Sequence, residues 1–178
     1  MGARHFVGKC IALFALCCVT WACASTGLKP CVDPASPNAC VCPAGGSCAH
    51  ACDPAVKNCS LGCSHDNRSC AVTCGDDCVA LCRDAFACDA RCGDHCSVSC
   101  QGIKDVCEAE VGNASNVVCD GANDCRVICK GSCDVSCPNG RCRVRCAAGQ
   151  DCGLECGSAQ SEGPLSCPDG TLVCGQPC

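Results

Sequence analysis

The chain has 178 residues, of which 32 are Cys, and a formal net charge of −5. A thiol load of this size marks a disulfide scaffold and points to an oxidising compartment, not to an ordinary cytosol. The acidic balance argues against a nucleic-acid groove and against docking on an anionic membrane surface.

The first 22 residues read as a signal peptide. Arg4, His5 and Lys9 form a basic start, and Ile11 to Ala22 is a mostly apolar run. That run is too short to span a bilayer and has the length of a signal-peptide core. Two cuts fit. Ala22-Cys23-Ala24 allows cleavage before Ser25, while Thr20-Trp21-Ala22-Cys23 is similar to a bacterial lipobox and makes Cys23 a lipidation candidate. Removing Arg4 and Lys9 leaves an exported charge of −7, and either cut leaves 28 Cys for pairing, Cys23 being lipidated where it is retained, an even number that favours complete pairing. Residues 23–47 carry Pro30, Pro34, Pro37 and Pro43 without periodicity and read as a Pro-rich tether.

Residues 48–178 form a repeat domain. A five-residue unit, Cys-x-aliphatic-x-Cys, recurs fourteen times from Cys48, as in Cys133-Asp134-Val135-Ser136-Cys137. Cys and aliphatic residues alternate with polar ones, the pattern of a half-buried strand. The connectors are turn chemistry, such as Gly75-Asp76-Asp77 and Gly93-Asp94-His95, with Gly expected to supply positive φ. A helical reading, favoured by Cys at i and i+4, fails because Gly, Pro and Asn interrupt every few residues. Starts of successive units alternate between short and longer intervals, giving a double repeat of about 18 residues. The expected fold is all-β and disulfide-rich: a flattened β-solenoid of two-strand coils, with successive β-hairpins as the alternative. Seven coils at roughly 4.8 Å each would make a rod about 34 Å long.

Two Cys of one unit cannot bond, because four strand steps span roughly 13 Å and bridged Cα atoms lie within about 7 Å. Pairing must run between units. Three unit ends are not Cys: Val111, Ser115 and Gly163. Val111 and Ser115 flank one tight turn, as if a partnership had been lost whole. This predicts a nested scheme. Across tight turns it pairs Cys52 with Cys59, Cys74 with Cys78, Cys92 with Cys96, Cys129 with Cys133, Cys146 with Cys152, and Cys167 with Cys174. Outside those it pairs Cys48 with Cys63, Cys70 with Cys82, Cys88 with Cys100, Cys107 with Cys119, Cys125 with Cys137, and Cys142 with Cys156. Cys31, Cys40, Cys42 and Cys178 are left without assigned partners, and at least one link must join the repeat to the tether.

Other chemistries find little support. No Cys-x-x-Cys occurs, so zinc-ribbon and thioredoxin-like sites are not indicated. The turn residues Asp76, Asp77, Asp94, Asp120, Asp124 and Asp169 read as solvated, since the Gly-Gly-x-Gly-x-Asp turns of calcium β-rolls are absent. His50, His65 and His95 have no Ser or free-thiol nucleophile motif beside them. Asn58, Asn67 and Asn113 head glycosylation-type triplets. The outward pairs Asp89/Arg91, Glu108/Glu110 and Arg143/Arg145 are charged and irregular. No catalytic residue, metal site or cofactor is expected.

The leader ending at Cys23 and the recurring Cys-x-aliphatic-x-Cys units resemble uncharacterised cysteine-rich lipoproteins of the myxobacterial type. The resemblance implies export to the cell envelope. The sequence thus leads to a non-catalytic, secreted or surface-anchored structural or interaction protein. Its partner is expected to be an unknown macromolecule at the cell surface, with membrane contact only through a lipid on Cys23. Two alternatives are a small secreted effector or toxin-like protein and a thiol-based metal or redox buffer.

Overall fold

A computed structural model describes residues 29–30, 39–42, 45–53, 56–63, 66–158 and 163–178. The leader, Cys23, Cys31 and His65 lie outside them. The strands are β1 (Lys29–Pro30), β2 (Ala39–Cys42), β3 (Gly46–Ala51), β4 (Ser60–Cys63), β5 (Asn67–Thr73), β6 (Val79–Arg83), β7 (Ala87–Arg91) and β8 (Ser97–Gln101). They continue with β9 (Val106–Val111), β10 (Ser115–Asp120), β11 (Asp124–Cys129), β12 (Cys133–Cys137), β13 (Arg141–Cys146), β14 (Cys152–Cys156), β15 (Leu165–Ser166) and β16 (Leu172–Cys174). No helix occurs among the described residues.

The chain is a two-sheet β-solenoid. Odd-numbered strands β1 to β13 stack in parallel in one sheet, and even-numbered β2 to β14 stack in parallel in the other. The connection between parallel neighbours is the strand of the opposite sheet, which supplies the long crossover that parallel pairing needs. Equivalent residues therefore stack on one another. Cys82 lies between Cys63 and Cys100, and Val127 between Ala109 and Val144. A hairpin array would have made neighbours antiparallel, so the solenoid alternative is the one realised.

The ends depart from the expected coil count. Pairs β2/β3 through β12/β13 make six coils. The solenoid begins earlier than the unit pattern, because Ala39–Cys42, within the stretch read as a tether, pairs in register with Ser60–Cys63. At the other end β14 starts a seventh coil that is not completed. β16 turns back and pairs antiparallel with β13 and β15. Gly163, Pro164, Pro168 and Gly170 break up the last two units, and Pro cannot donate to a ladder. The nine-stranded sheet therefore ends in a short antiparallel cap.

The core is thin. Each interior strand contributes one aliphatic side chain: Val72, Ala90, Ala109, Val127 and Val144 from one sheet face Leu61, Ala80, Val98, Val117, Val135 and Leu154 of the other. Bridged cysteines flank this row on both sides. Every cysteine among the described residues is disulfide-bonded, including Cys40. The resolved partners have Cα separations of 5.5–6.5 Å, and each short loop they close offsets about 2 kcal/mol of chain entropy, a contribution that does not simply add.

The bridges form two columns. Along the tight turns run Cys52–Cys59, Cys74–Cys78, Cys92–Cys96, Cys129–Cys133 and Cys146–Cys152, as the nested scheme expects. Along the looser turns the expected outer pairs are replaced. Cys42–Cys48, Cys63–Cys70, Cys82–Cys88, Cys100–Cys107, Cys119–Cys125, Cys137–Cys142 and Cys156–Cys174 bond instead. Cys167 pairs with Cys178 and not with Cys174. The reason is topological. Nested outer pairs belong to an antiparallel hairpin, whereas a coil brings the end of each strand beside the start of the next at both of its edges. The observed register uses all fourteen sulfurs of the looser-turn column. Shifting it by one would give the nested outer pairs and strand Cys42 and Cys174 at the ends.

Val111 and Ser115 occupy the missing rung of the tight-turn column, stacked on Cys129 and Cys133. Both are buried, and the Ser115 hydroxyl accepts the Cys96 amide at 3.1 Å. The double variant Val111→Cys/Ser115→Cys is expected to add one bridge and show no free thiol by non-reducing mass spectrometry. Each single variant should show one free thiol.

Candidate functional site

The tight turns carry a hydrogen-bond ladder that includes Asp76 and Asp94, expected from the sequence to be simply solvated. The Asp94 amide donates to Asp76 Oδ1 at 2.9 Å, the Asn113 amide to Asp94 Oδ1 at 2.7 Å, and the Ser132 amide to Asn113 Oδ1 at 3.1 Å. Each Asx side chain thus satisfies the turn of the following coil. The preceding glycines make room for it. A Cβ on Gly93 would overlap Asp76 Oδ1, and one on Gly112 would overlap Asp94 Oδ1 and lie 2.7 Å from the Gly93 carbonyl. Neither glycine has positive φ. The left-handed position is the next-but-one residue, Asp77, His95 or Ala114, at φ 54°, 55° and 52°. Glycine serves close approach in these tight turns and does not supply the turn dihedral there, whereas Gly102, Gly121 and Gly140 of the looser turns take positive φ as expected.

The other turn aspartates also have protein partners. Asp120 accepts from Asn139 Nδ2 at 2.9 Å, Asp124 pairs with Arg126 at 2.8 Å, and Asp77 lies 3.8 Å from His95 Nδ1. Asp169 accepts the Thr171 amide at 3.0 Å, and that bond holds its carboxyl below the usual range.

The looser turns bury a row that the unit pattern missed: Ala85, Ile103 and Ala122. Backbone bonds stack them, with the Lys104 amide donating to the Ala85 carbonyl at 3.1 Å. The available signal was one apolar residue inside each of these polar connectors. Beside the row stands Phe86, 53% exposed, the one aromatic beyond the leader.

Outward positions of the nine-stranded sheet form a mixed-charge face. Arg91 binds Asp89 at 3.3 Å, and Arg126 joins Asp124 to Glu108 at 3.1 Å from the latter. Lys130 pairs with Glu110. These contacts favour the ionised forms of Glu110, Arg91 and Arg126. The Lys130 hydrogen bond draws the Glu110 carboxyl below its ordinary value. The Asp89 bond raises Arg91, and the Asp124 bond raises Arg126. Between these side chains and Ile128 lies an open depression of about 210 Å³. One strand further, Arg143 and Arg145 give the face a basic end beside Asp169. The seven-stranded sheet is quieter outside, with Ser97, Ser99, Asn116, Asp134, Ser136 and Glu155 in the outward positions.

The described cysteines, all bridged, offer no free thiol as ligand or nucleophile in this state. Sulfur groups spaced for chelation, such as Cys70, Cys82 and Cys88, consist of bridged residues. His50 lies within 4.8 Å of both sulfurs of the Cys42–Cys48 bridge. Of the glycosylation-type triplets, Asn67 is buried. No known protein family, curated protein or solved structure matches the chain.

Asp94→Ala removes the acceptor of the Asn113 amide and should lower the unfolding free energy by about 1–2 kcal/mol, measured in guanidinium with bridges intact. Asp94→Asn, which keeps an acceptor oxygen, should lose less. For Glu110 the folded carboxyl is more acidic than the unfolded one. Its contribution is complete above the unfolded value and is lost as pH falls through the lower folded value. Lys130→Met should move the Glu110 titration, followed by NMR, up towards the ordinary glutamate value.

Proposed function

We propose that this protein is a non-catalytic, disulfide-stabilised structural or interaction module of the cell envelope, exported by its leader and held at the surface. The observation that carries the reading is the direction of the cysteines. All those described are bridged and most are buried between the sheets, leaving the polar outward residues as the chemistry available to a partner. The extent of disulfide bonding is consistent with an exported protein.

The surface offered to a partner is the outer face of the nine-stranded sheet. Its acidic and basic residues are interspersed, so it suits a macromolecule with mixed charge better than a polyanion. Nucleic acid is an unsuitable partner for a chain of this net charge. Membrane attachment falls to a lipid on Cys23, the residue that ends the lipobox-like segment.

Expression of the full chain in an exporting Gram-negative host tests the reading. The expected product lacks residues 1–22, partitions into detergent, gains the mass of a lipid on Cys23 and titrates with near-zero free thiol. An uncut leader together with many free thiols would overturn it and favour a thiol-based buffer.

A further inference from the structure

The looser-turn column stacks its bridges closely enough for one to reach the next. Cys70 Sγ lies 3.5 Å from Cys82 Sγ, which belongs to the neighbouring bridge. The same relation recurs. Cys70 is within 4.8 Å of both Cys82 and Cys88, Cys88 of both Cys100 and Cys107, and Cys107 of both Cys119 and Cys125. Each group consists of one sulfur of a bridge and both sulfurs of the bridge in the following coil. All seven residues are buried.

We propose that this column is a thiol relay, in which one free thiolate is handed from coil to coil by disulfide exchange without unfolding. A thiolate at Cys70 attacks Cys82. The Cys70–Cys82 bond forms, the Cys82–Cys88 bond breaks, and Cys88 leaves as the thiolate. Cys88 then attacks Cys100 and releases Cys107, and Cys107 attacks Cys119 and releases Cys125. Each step makes one S–S bond and breaks one. The charge moves with the leaving sulfur, so no oxidant or reductant is consumed.

The steps exchange bonds between near-equivalent cysteines, so they are reversible and nearly balanced in free energy. The relayed pairs are Cys70–Cys82, Cys88–Cys100 and Cys107–Cys119. They are the one-step shifted register of the column, the same bonds that the nested reading of the sequence produces. Parity forbids that register in the intact column, and a single missing sulfur permits it.

One rung of the tight-turn column, Cys92–Cys96, supplies an internal control, although further along that column Cys152 lies within 4.8 Å of both Cys129 and Cys133. Cys96 belongs to none of the close sulfur groups among the described residues, and the rung that would follow it is Val111 and Ser115. On its other side stands the Cys74–Cys78 bridge, and Cys96 does not lie within 4.8 Å of both of its sulfurs, so a thiol released there lacks the contact that the looser-turn groups share.

The test uses the full chain with Cys63→Ala, which leaves Cys70 unpaired. The protein is held at mildly alkaline pH, quenched in acid, alkylated there and mapped without reduction. The expected result is free thiol spread over Cys70, Cys88, Cys107 and Cys125, roughly a quarter at each for equivalent sites. Peptides joined Cys70–Cys82, Cys88–Cys100 and Cys107–Cys119 should accompany it. Cys125→Ala feeds the relay from the other side, through Cys119, and should give the same three crossed pairs with thiol reaching Cys63. It also serves if Cys63→Ala fails to fold. Cys92→Ala should keep its thiol at Cys96. Thiol confined to Cys70 and Cys119 in the first two variants would overturn the relay. So would thiol spread through the Cys92→Ala protein, since exchange would then be running through unfolded chain.

Discussion

Everything in this molecule depends on the stacking of like upon like along the coil axis. Parallel register places cysteine on cysteine, aliphatic on aliphatic and turn on turn. Once that register holds, the end of each strand stands beside the start of the next, and bridge formation requires little further adjustment. If the register slipped by one residue, the cysteines would face solvent, because side chains alternate between faces. The bridges therefore lock a pairing that the alternating pattern has already selected.

The thin core explains why so many bridges are present. A single Ala, Val or Leu per strand buries too little area to offset the ordering of the stacked strands and turns, and parallel pairing is non-local. Disulfides compensate by restricting the unfolded chain. The Asx ladder of the tight turns and the buried Ala85–Ile103–Ala122 row do the same work locally, one with hydrogen bonds and the other with packing. At Val111 and Ser115 a hydroxyl hydrogen bond and a buried methyl-bearing side chain take the place of covalent closure. The column tolerates the loss because the turns above and below are still bonded through Asp94 and Asn113.

This economy leaves the outer faces free of structural duty. The charged side chains of the nine-stranded sheet are held by one another both along a strand and across strands, so the face is ordered without being needed for the core. A scaffold of this kind can vary its surface while keeping its inside constant, a property of repeat architectures. That separation supports the proposals that recognition falls to the outward positions and disulfide exchange to the interior column.

Much of this was legible in the residues themselves. The alternation in units such as Cys142-Arg143-Val144-Arg145-Cys146 determined strands and the face they bury, and the spacing between units gave a two-strand repeat that fits a coil and a hairpin alike. The joint absence of cysteine at Val111 and Ser115 determined which sulfurs face each other across the tight turns. Local chemistry suffices for such features, because spacing along one strand or across one short turn is set by covalent geometry. Only the tertiary structure decided the looser-turn pairing, since Cys82 has near neighbours in both Cys70 and Cys88 and the choice depends on how the column ends. The antiparallel cap, the early start at Ala39–Cys42 and the coil-to-coil role of Asp76 and Asp94 were decided there too. Each arises from contacts between residues about one coil or more apart, and the spacing within a single unit carries no information about what the neighbouring coil brings to it.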